Sequence, residues 1–285
     1  MTSDSATDPT ADRPQTAFWN GRSGQAWVDT QTLLDALFQP MADRLIAGAP
    51  AGSPLRVLDV GCGTGAVALA IAQRLGDGGQ VGGVDISRPM IAAADTRAAR
   101  GRIAARFVCA DAQRHRFAPA SIDRIVSRFG VMFFDDPVAA FANLRRAAVD
   151  GAVLHAIVWR SADENAFLTA AELAAAPLLP QLPPRRASGP GPFALADAQR
   201  TQAMLEAAGW SGIAVTPLDV ECTLPVADLP AYYTRIGPLG LVWPDLDDAT
   251  RSRVDEVVRA AYRRYQDGGV VRFTAACWEI GARAG

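Results

Sequence analysis

The stretch Asp59-Val60-Gly61-Cys62-Gly63-Thr64-Gly65 decides the fold predicted for this chain. A short apolar run at 55–60 leads into it and an alanine-rich segment at 66–75 follows, so strand, glycine loop and helix occur in that order. Glycines let the backbone turn sharply and approach a ligand closely, and the free N–H groups at a helix start favour polar or anionic groups. The pattern predicts a cofactor site at the edge of a parallel sheet.

Around this loop in the sequence, short buried strands alternate with alanine-rich helices, which is typical of a parallel sheet covered on both faces. The helices are predicted at 66–75, 89–100 and 137–149, with Gly151 as a C-terminal stop. The strands are predicted at 55–60, 80–85, 105–109, 123–127 and 152–159. Five βα repeats joined by right-handed crossovers predict an α/β fold with a doubly wound, mostly parallel sheet.

The segments outside this core predict a tail, an arm, a lid and a cap. Residues 1–15 are rich in Ser, Thr, Asp and Pro, which predicts disorder, and apolar residues at helical spacing then predict one or two helices. Pro238 and Pro244 are expected to break a helical stretch at 228–266. The predicted organisation is 1–15 disordered tail, 16–50 helical arm or lid, 51–160 cofactor-binding core, 161–195 helix and Pro-rich lid, 196–224 core continuation, 225–267 helical cap insertion and 268–285 last core strand.

Composition excludes several classes of protein. The net charge of −2 offers no summed positive field for nucleic acid or for an anionic membrane surface. All 28 basic residues are arginine, which excludes a Walker A loop and a Schiff-base lysine. The four cysteines are far apart and only two histidines accompany them, so neither a metal site nor a disulfide framework is expected. With no signal-like start and no long apolar run, the chain is expected to be cytoplasmic.

Three acidic residues lie at or just beyond the carboxyl ends of predicted strands, where they could bind a cofactor. Asp59 could pair with a ligand ammonium but would repel a pyrophosphate, and it lies too far upstream to be a simple helix cap. Asp85 ends the second strand, where an acid accepts hydrogen bonds from ribose hydroxyls, and Asp111 could accept an adenine amine. This set describes S-adenosylmethionine. Gly61-x-Gly63-x-x-Ala66 also satisfies the dinucleotide pattern, so an NAD(P)-dependent oxidoreductase stays an alternative.

The motifs VLDVGCGTG, VDIS, CADAQ and FDDP, within residues 55–159, resemble those of class I S-adenosylmethionine-dependent methyltransferases. They are most similar to the small-molecule group that includes the quinone-biosynthesis C-methyltransferases. The resemblance implies a Rossmann-like sheet of seven strands, whose last strand, at 270–281, returns antiparallel between the fifth and the sixth, at 212–224. It implies S-adenosyl-L-methionine as cofactor, and the candidate cofactor-binding residues are Asp59, Gly61, Gly63, Gly65, Asp85, Ile86, Met90, Asp111, Ala112, Ser127, Trp19 and Trp27.

The acceptor site is less specified by the sequence. Aromatic residues in the fourth-strand loop and in the cap predict an apolar pocket, with Phe129, Phe133, Tyr232 and Trp243 as candidates. No general base is evident, and His155 and His115 are weak candidates because imidazole titrates near neutrality.

The sequence therefore predicts a methyltransferase acting on a small, largely apolar or aromatic molecule. The chain is expected to be a monomer or a homodimer, with no nucleic-acid or membrane partner and no metal. A non-catalytic cofactor-binding module is the remaining alternative.

Overall fold

The protein is described from a computed structural model that covers residues 14–183 and 189–285. The strands alternate with helices through the first half of the chain. They are β1 (Arg56–Val60), β2 (Gln80–Asp85), β3 (Ala105–Cys109), β4 (Ile122–Arg128), β5 (Ala148–Trp159), β6 (Trp210–Pro225), β7 (Gln266–Asp267) and β8 (Val270–Ala284).

The helices lie ahead of the sheet, between its strands and in the cap. They are α1 (Pro14–Asn20), α2 (Arg22–Asp29), α3 (Gln31–Leu37), α4 (Gln39–Ala47), α5 (Ala66–Leu75), α6 (Arg88–Gly101), α7 (Pro137–Ala147), α8 (Ala166–Ala175), α9 (Ala198–Ala207), α10 (Leu229–Tyr233), α11 (Gly237–Val242) and α12 (Asp248–Tyr262). Short 3-10 turns include Gly130–Phe133 after β4 and Trp243–Asp245 after α11.

The sheet order confirms the predicted fold class. Within the described residues, seven strands run in the order β3-β2-β1-β4-β5-β8-β6, and the two-residue β7 pairs with β8. Strands β1 to β5 pair in parallel, whereas β8 is antiparallel to both β5 and β6. The last strand thus returns between the fifth and the sixth. The order reverses at β1 and β4, so the carboxyl ends of these strands form the crevice where such sheets bind ligands.

One predicted boundary in the core is wrong. Helix α7 ends at Ala147, and β5 begins at Ala148 rather than at residue 152. Ala148 pairs with Ile122, and the register shifts before Arg124 pairs with Val153. Gly151, with φ +78°, therefore lies in an irregular part of β5 instead of stopping a helix. The β4 pairing overrides the alanine-rich helical pattern of this segment.

The arm consists of four short helices, α1 to α4, instead of the one or two that the spacing predicts. The helices meet at Gly21, Thr30 and Phe38, which separate them. The apolar side chains of α3 and α4, including Leu34, are buried in the same core as the sheet. Of the predicted disordered tail, residues 1–13 lie outside the described residues, whereas Pro14 begins α1.

The cap is inserted between β6 and β8 and packs on the body through aromatic rings. Phe167 of α8 stacks on Phe273 of β8 at a centroid distance of 3.7 Å, and the rings of Tyr232 and Tyr262 lie 5.6 and 4.9 Å from it. The expected breaks at the cap prolines are present, because α10 ends before Pro238 and α11 ends before Pro244. Proline occupies the first turn of α11 and of the following 3-10 turn, where its missing N–H costs nothing.

The Pro-rich segment is described only at its two ends, because residues 184–188 lie outside the described part of the chain. After the gap, Gly191 donates its N–H to the carbonyl of Met132, and the Trp278 indole donates to the carbonyl of Ala196. Across the described residues, no helix combines the length and apolarity that crossing a membrane requires.

Candidate active site

The glycine loop between β1 and α5 has a backbone that only glycine fits well. Gly61, Gly63 and Gly65 have φ values of +66°, +54° and +84°, in the left-handed region that side chains disfavour. A Cβ at Gly61 would lie 2.4 Å from the Cα of Gly130, because the turn after β4 packs directly on the loop. The loop conformation is therefore fixed by close backbone contact as well as by its dihedral angles.

Asp59, near the end of β1, lies beneath this loop and is 2% exposed. Its Oδ2 accepts a hydrogen bond from the backbone N–H of Ala68, in the first turn of α5, at 3.1 Å. The expectation that Asp59 lies too far upstream to cap the helix is thus wrong, because the loop folds back and brings the helix start over the strand. Burial raises the pKa of the Asp59 carboxyl to about 7, and the Arg128 guanidinium opposes this shift.

Asp85, at the end of β2, holds two backbone segments together. Its Oδ2 accepts from the N–H of Gly63 at 2.8 Å, and its Oδ1 accepts from the N–H of Ser87 at 2.9 Å. Burial raises the pKa of Asp85, while these hydrogen bonds oppose the shift. Each carboxylate oxygen keeps a second lone pair, so Asp85 can fix the loop and still accept a ligand hydroxyl.

A pocket of about 440 Å³, including its mouth to solvent, opens beside the glycine loop. Of the predicted cofactor residues, Asp59, Gly61, Gly63 and Trp27 line it. The remaining lining residues come from the arm, the loop, α5 and the end of β4: Gln31, Leu34, Asp35, Cys62, Thr64, Val67 and Arg128. The structure therefore brings four predicted residues into one cavity and adds a carboxylate, Asp35, and a guanidinium, Arg128.

The arm crosses the junction between β2 and α6, next to Asp85. The Asn20 side chain donates to the carbonyl of Ile86 at 2.9 Å and accepts from the N–H of Arg88 at 2.9 Å. The Ser87 hydroxyl donates to the carbonyl of Trp19 at 2.7 Å. These three hydrogen bonds fix the arm over the predicted ribose-binding end of β2.

Aromatic side chains join the arm to the loop after β4. The ring of Trp19 lies edge-on to Phe133 at 5.0 Å and to Trp27 at 6.2 Å. Phe129, which adopts the left-handed conformation with φ +67°, stacks on Trp159 at 4.4 Å beneath this region. A bulky residue in that conformation is strained, and such strain concentrates at functional sites.

The other predicted cofactor residues lie around the loop and along the neighbouring strand ends. The Met90 sulfur would be 3.6 Å from a Cβ at Gly63, so Met90 covers the loop from α6. The Ser127 hydroxyl donates to the carbonyl of Val60 and accepts from the N–H of Val131, which joins β4 to β1. Asp111 accepts from the N–H of Gln113 in the turn after β3, and Ala112 is buried beside it.

Several predicted residues lie away from the pocket. His155 Nε2 is 2.9 Å from Glu279 Oε1, which also pairs with Arg44 of α4, and burial lowers the His155 pKa. The His115 ring contacts Phe117 in the loop after β3. Tyr232 and Trp243 pack inside the cap, the first near Phe167 and the second 6.3 Å from Tyr233. Neither histidine nor these two cap aromatics line the cavity.

Sequence reasoning missed Arg128, Asp35 and Gln31. A usable signal was present for Arg128, since a cation ends the buried strand IVSR at the carboxyl edge, where ligands bind. Asp35 and Gln31 gave no such signal, because an acid and an amide on an arm helix are indistinguishable in sequence from solvated residues.

Comparison with known proteins agrees with this architecture. A family model described as a methyltransferase domain matches residues 57–151. The matched residues run from β1 into β5 and contain the glycine loop, Asp59, Asp85 and Arg128.

Relatives match about half of the chain or less. An uncharacterized protein of Mycobacterium tuberculosis is 30% identical over 152 residues, which cover 53% of this chain and 54% of that protein. An aklanonic acid methyltransferase of a Streptomyces species is 34% identical over 124 residues, covering 42% and 56% of the two chains. The chain thus spans about half the length of the curated relatives it matches.

One solved structure extends the likeness over most of the fold. A phosphoethanolamine N-methyltransferase of Haemonchus contortus, solved with S-adenosyl-L-methionine, superposes with a TM-score of 0.58 over 94% of this chain and 59% of its own. At 16% identity this likeness concerns the fold alone.

Proposed function

We propose that this protein transfers the methyl group of S-adenosylmethionine to a small, largely apolar or aromatic molecule. The observation that carries the proposal is the cavity that the glycine loop, buried Asp59 and Trp27 of the arm line together. This set matches a ligand that carries an ammonium group and lies close to the backbone of the loop.

The residues present fit the cofactor on chemical grounds. Asp59 supplies a buried negative charge for an ammonium, and the glycine backbone leaves room for close approach. Asp85 has free lone pairs for ribose hydroxyls, and Asp111 lies beyond β3 for the adenine amine. A dinucleotide fits less well, since the buried carboxylate of Asp59 would repel a pyrophosphate. This repulsion disfavours the oxidoreductase alternative.

The protein's part in the reaction is to bind, orient and exclude water. S-adenosylmethionine, when bound, supplies a methyl group already activated on a sulfonium. The acidic residues hold the two ends of the cofactor, so the acceptor needs only to be placed in line, and positioning of this kind can lower a barrier by several kcal/mol. Trp19, Trp27 and Phe133 form an apolar wall at the sheet edge that keeps water out.

The same aromatic wall supports an apolar acceptor. Trp19 and Phe133 lie at the carboxyl edge of β4, where an acceptor must approach the cofactor. Phe129 and Trp159 add a stacked pair beneath it. We place the acceptor against the Trp19–Phe133 side of the crevice, and we keep Tyr232 and Trp243 as structural residues of the cap.

The proposed setting is the cytoplasm. Cys62, Cys222 and Cys277 are buried thiols outside any disulfide, which agrees with a reducing compartment. Because the described cavity belongs to one chain and includes arm residues of that chain, a monomer suffices for the chemistry.

The proposal is tested by following a labelled methyl group. Purified protein is incubated with methyl-labelled S-adenosylmethionine and a small-molecule extract, and the label is measured in the organic-soluble, aqueous and macromolecular fractions. We expect time-dependent label in the organic-soluble fraction and matching formation of S-adenosylhomocysteine, both lost in Asp85→Ala. Label in the macromolecular fraction, or none in any fraction, would contradict the proposal.

A further inference from the structure

The cavity contains a largely buried cation for which the function proposed above names no binding partner. Arg128 ends β4 and lines the same cavity as Asp59, and its side chain is 12% exposed. Burial lowers the Arg128 pKa, whereas Asp35 and Asp59 oppose this shift. A buried guanidinium is costly unless its charge and its donors are used.

Its partners in the structure use only part of that capacity. Arg128 Nη1 donates to the carbonyl of Phe38 at 3.2 Å, and Nη2 lies 3.6 Å from Asp35, beyond an ordinary hydrogen bond. Asp35 is held more closely by Arg97, at 2.8 Å, and by the amide of Gln31. Since guanidinium has five N–H donors, Arg128 retains donors for a ligand at the cavity wall.

The charges around the cavity form a complementary set. Asp35 and Arg97 neutralise each other at one side, which leaves Asp59 and Arg128 as an acid and a base facing the same space. A ligand that carries an ammonium and a carboxylate on one carbon would satisfy both without adding net charge. Arginine suits a carboxylate because its planar donors bind both oxygens.

We propose that Arg128 binds the carboxylate of the methionine half of the cofactor. This inference rests on the proposed function, because it concerns the same cofactor. The pocket then recognises the zwitterion as a unit: Asp59 binds the ammonium and Arg128 binds the carboxylate. The chain should accordingly discriminate against decarboxylated forms of the cofactor.

The test titrates S-adenosylhomocysteine and two analogues, each of which lacks one of its two charged groups. S-adenosylhomocysteine carries both charges, its decarboxylated analogue keeps only the ammonium, and its deaminated analogue keeps only the carboxylate. Calorimetry measures each dissociation constant with the wild type, Arg128→Met and Asp59→Asn. Arg124→Met is the matched control, since Arg124 lies four residues earlier on β4 and outside the cavity lining.

For the wild type, we expect the decarboxylated analogue to bind roughly tenfold to a hundredfold more weakly than S-adenosylhomocysteine, as loss of a charge-assisted hydrogen-bond partner predicts. Arg128→Met should weaken S-adenosylhomocysteine by a similar factor and the decarboxylated analogue by less than about threefold. Asp59→Asn should weaken the decarboxylated analogue but spare the deaminated one. Arg124→Met should change none of the three.

The outcomes separate this inference from the proposed function. If the wild type fails to bind S-adenosylhomocysteine, the proposed function fails with it. If Arg128→Met weakens the first two ligands equally, or if the wild type binds them equally, the carboxylate assignment is overturned. Should Arg128→Met fail to fold by thermal melting, Arg128→Lys keeps the charge but loses the bidentate geometry, and it must show the same ligand dependence on a smaller scale.

Discussion

The glycine-loop side of the crevice and the contact between the arm and the cap are stabilised by different kinds of interaction. The glycine-loop side relies on buried groups: left-handed glycines, the contact between Gly61 and Gly130, and backbone hydrogen bonds to Asp59 and Asp85. The contact between the arm and the cap relies on exposed ion pairs instead. Arg22 pairs with Asp245 at 2.5 Å, and Arg235 pairs with Asp29 at 3.0 Å.

This difference assigns different roles to the two sides. Buried backbone contacts cannot rearrange without large cost, so the loop side is suited to fix the cofactor geometry. Exposed ion pairs contribute little and are screened by salt, so the arm–cap contact is suited to open and close. Substitutions on the loop side should therefore change stability and affinity strongly, whereas substitutions at the arm–cap contact should change mainly rates.

The largest effect is expected from Gly61→Ala. The left-handed backbone costs about 1–2 kcal/mol for alanine, and the clash with Gly130 adds about 1–3 kcal/mol. We expect a total loss of about 2–5 kcal/mol in the free energy of unfolding, measured by urea titration. Gly52→Ala is the matched control, because Gly52 has φ +70° but no atom within 4 Å of its Cβ position.

The control isolates the contribution of close packing. Gly52→Ala should lose only the dihedral cost, about 1–2 kcal/mol. Equal losses of unfolding free energy in the two variants would mean that close packing of the loop against the turn after β4 adds nothing to stability.

A second, intermediate effect concerns pH and Asp59. Because its pKa is raised to about 7, Asp59 is mostly protonated at pH 5.5 and must ionise to pair with an ammonium. The dissociation constant for S-adenosylhomocysteine should therefore rise about thirtyfold as the pH falls from about 7.5 to about 5.5. Calorimetry across this range measures it, with 5′-methylthioadenosine, which lacks the amino-acid half, as the control ligand.

The same pKa shift acts on folding with the opposite sign. In the ligand-free protein, the contribution of Asp59 to stability is present at low pH, below the ordinary Asp pKa, and is lost as the pH rises through about 7. Asp59→Asn removes both dependences. Parallel pH profiles for the two ligands would show that Asp59 does not bind the amino-acid half.

The smallest effect is expected at the arm–cap contact. Arg22→Glu should repel Asp245 and speed release of S-adenosylhomocysteine by about two- to fivefold in stopped-flow measurements at low salt, with the unfolding midpoint unchanged. The double variant Arg22→Glu with Asp245→Arg restores the pair with reversed polarity. It should return the release rate to that of the wild type. If the double variant is no slower than the single one, the ion pair does not hold the arm to the cap.

The sequence predicted the core strands well because each is a short apolar run bounded by turn residues. Strands β2 and β3 and helix α5 have the predicted bounds, since nothing in their surroundings competes with the local pattern. The start of β5 was missed because pairing with β4 outweighs a helical pattern at Ala148. Local periodicity carries no information about such a partner.

Within the site, the sequence revealed the acids but not the network around them. Asp59, Asp85 and Asp111 each lie a characteristic number of residues from the glycine loop, and this spacing can be read from the sequence. The spacing in sequence predicts no hydrogen bond between Asp59 and the start of α5, yet the fold of the loop brings Asp59 Oδ2 within 3.1 Å of the Ala68 nitrogen. Arg128, Asp35 and Arg97 come from three distant elements, and only the folded chain shows that they meet.

A calorimetric titration of the wild-type protein with S-adenosylhomocysteine and, separately, with NADH tests whether this cavity binds S-adenosylmethionine. The two cofactors share an adenosine and differ in what lies beyond it, where Asp59 and Arg128 line the cavity. We expect one S-adenosylhomocysteine bound per chain and at least a hundredfold weaker binding of NADH, about 2.7 kcal/mol in binding free energy. Binding of NADH as tight as that of S-adenosylhomocysteine, or no S-adenosylhomocysteine binding at all, would contradict this expectation.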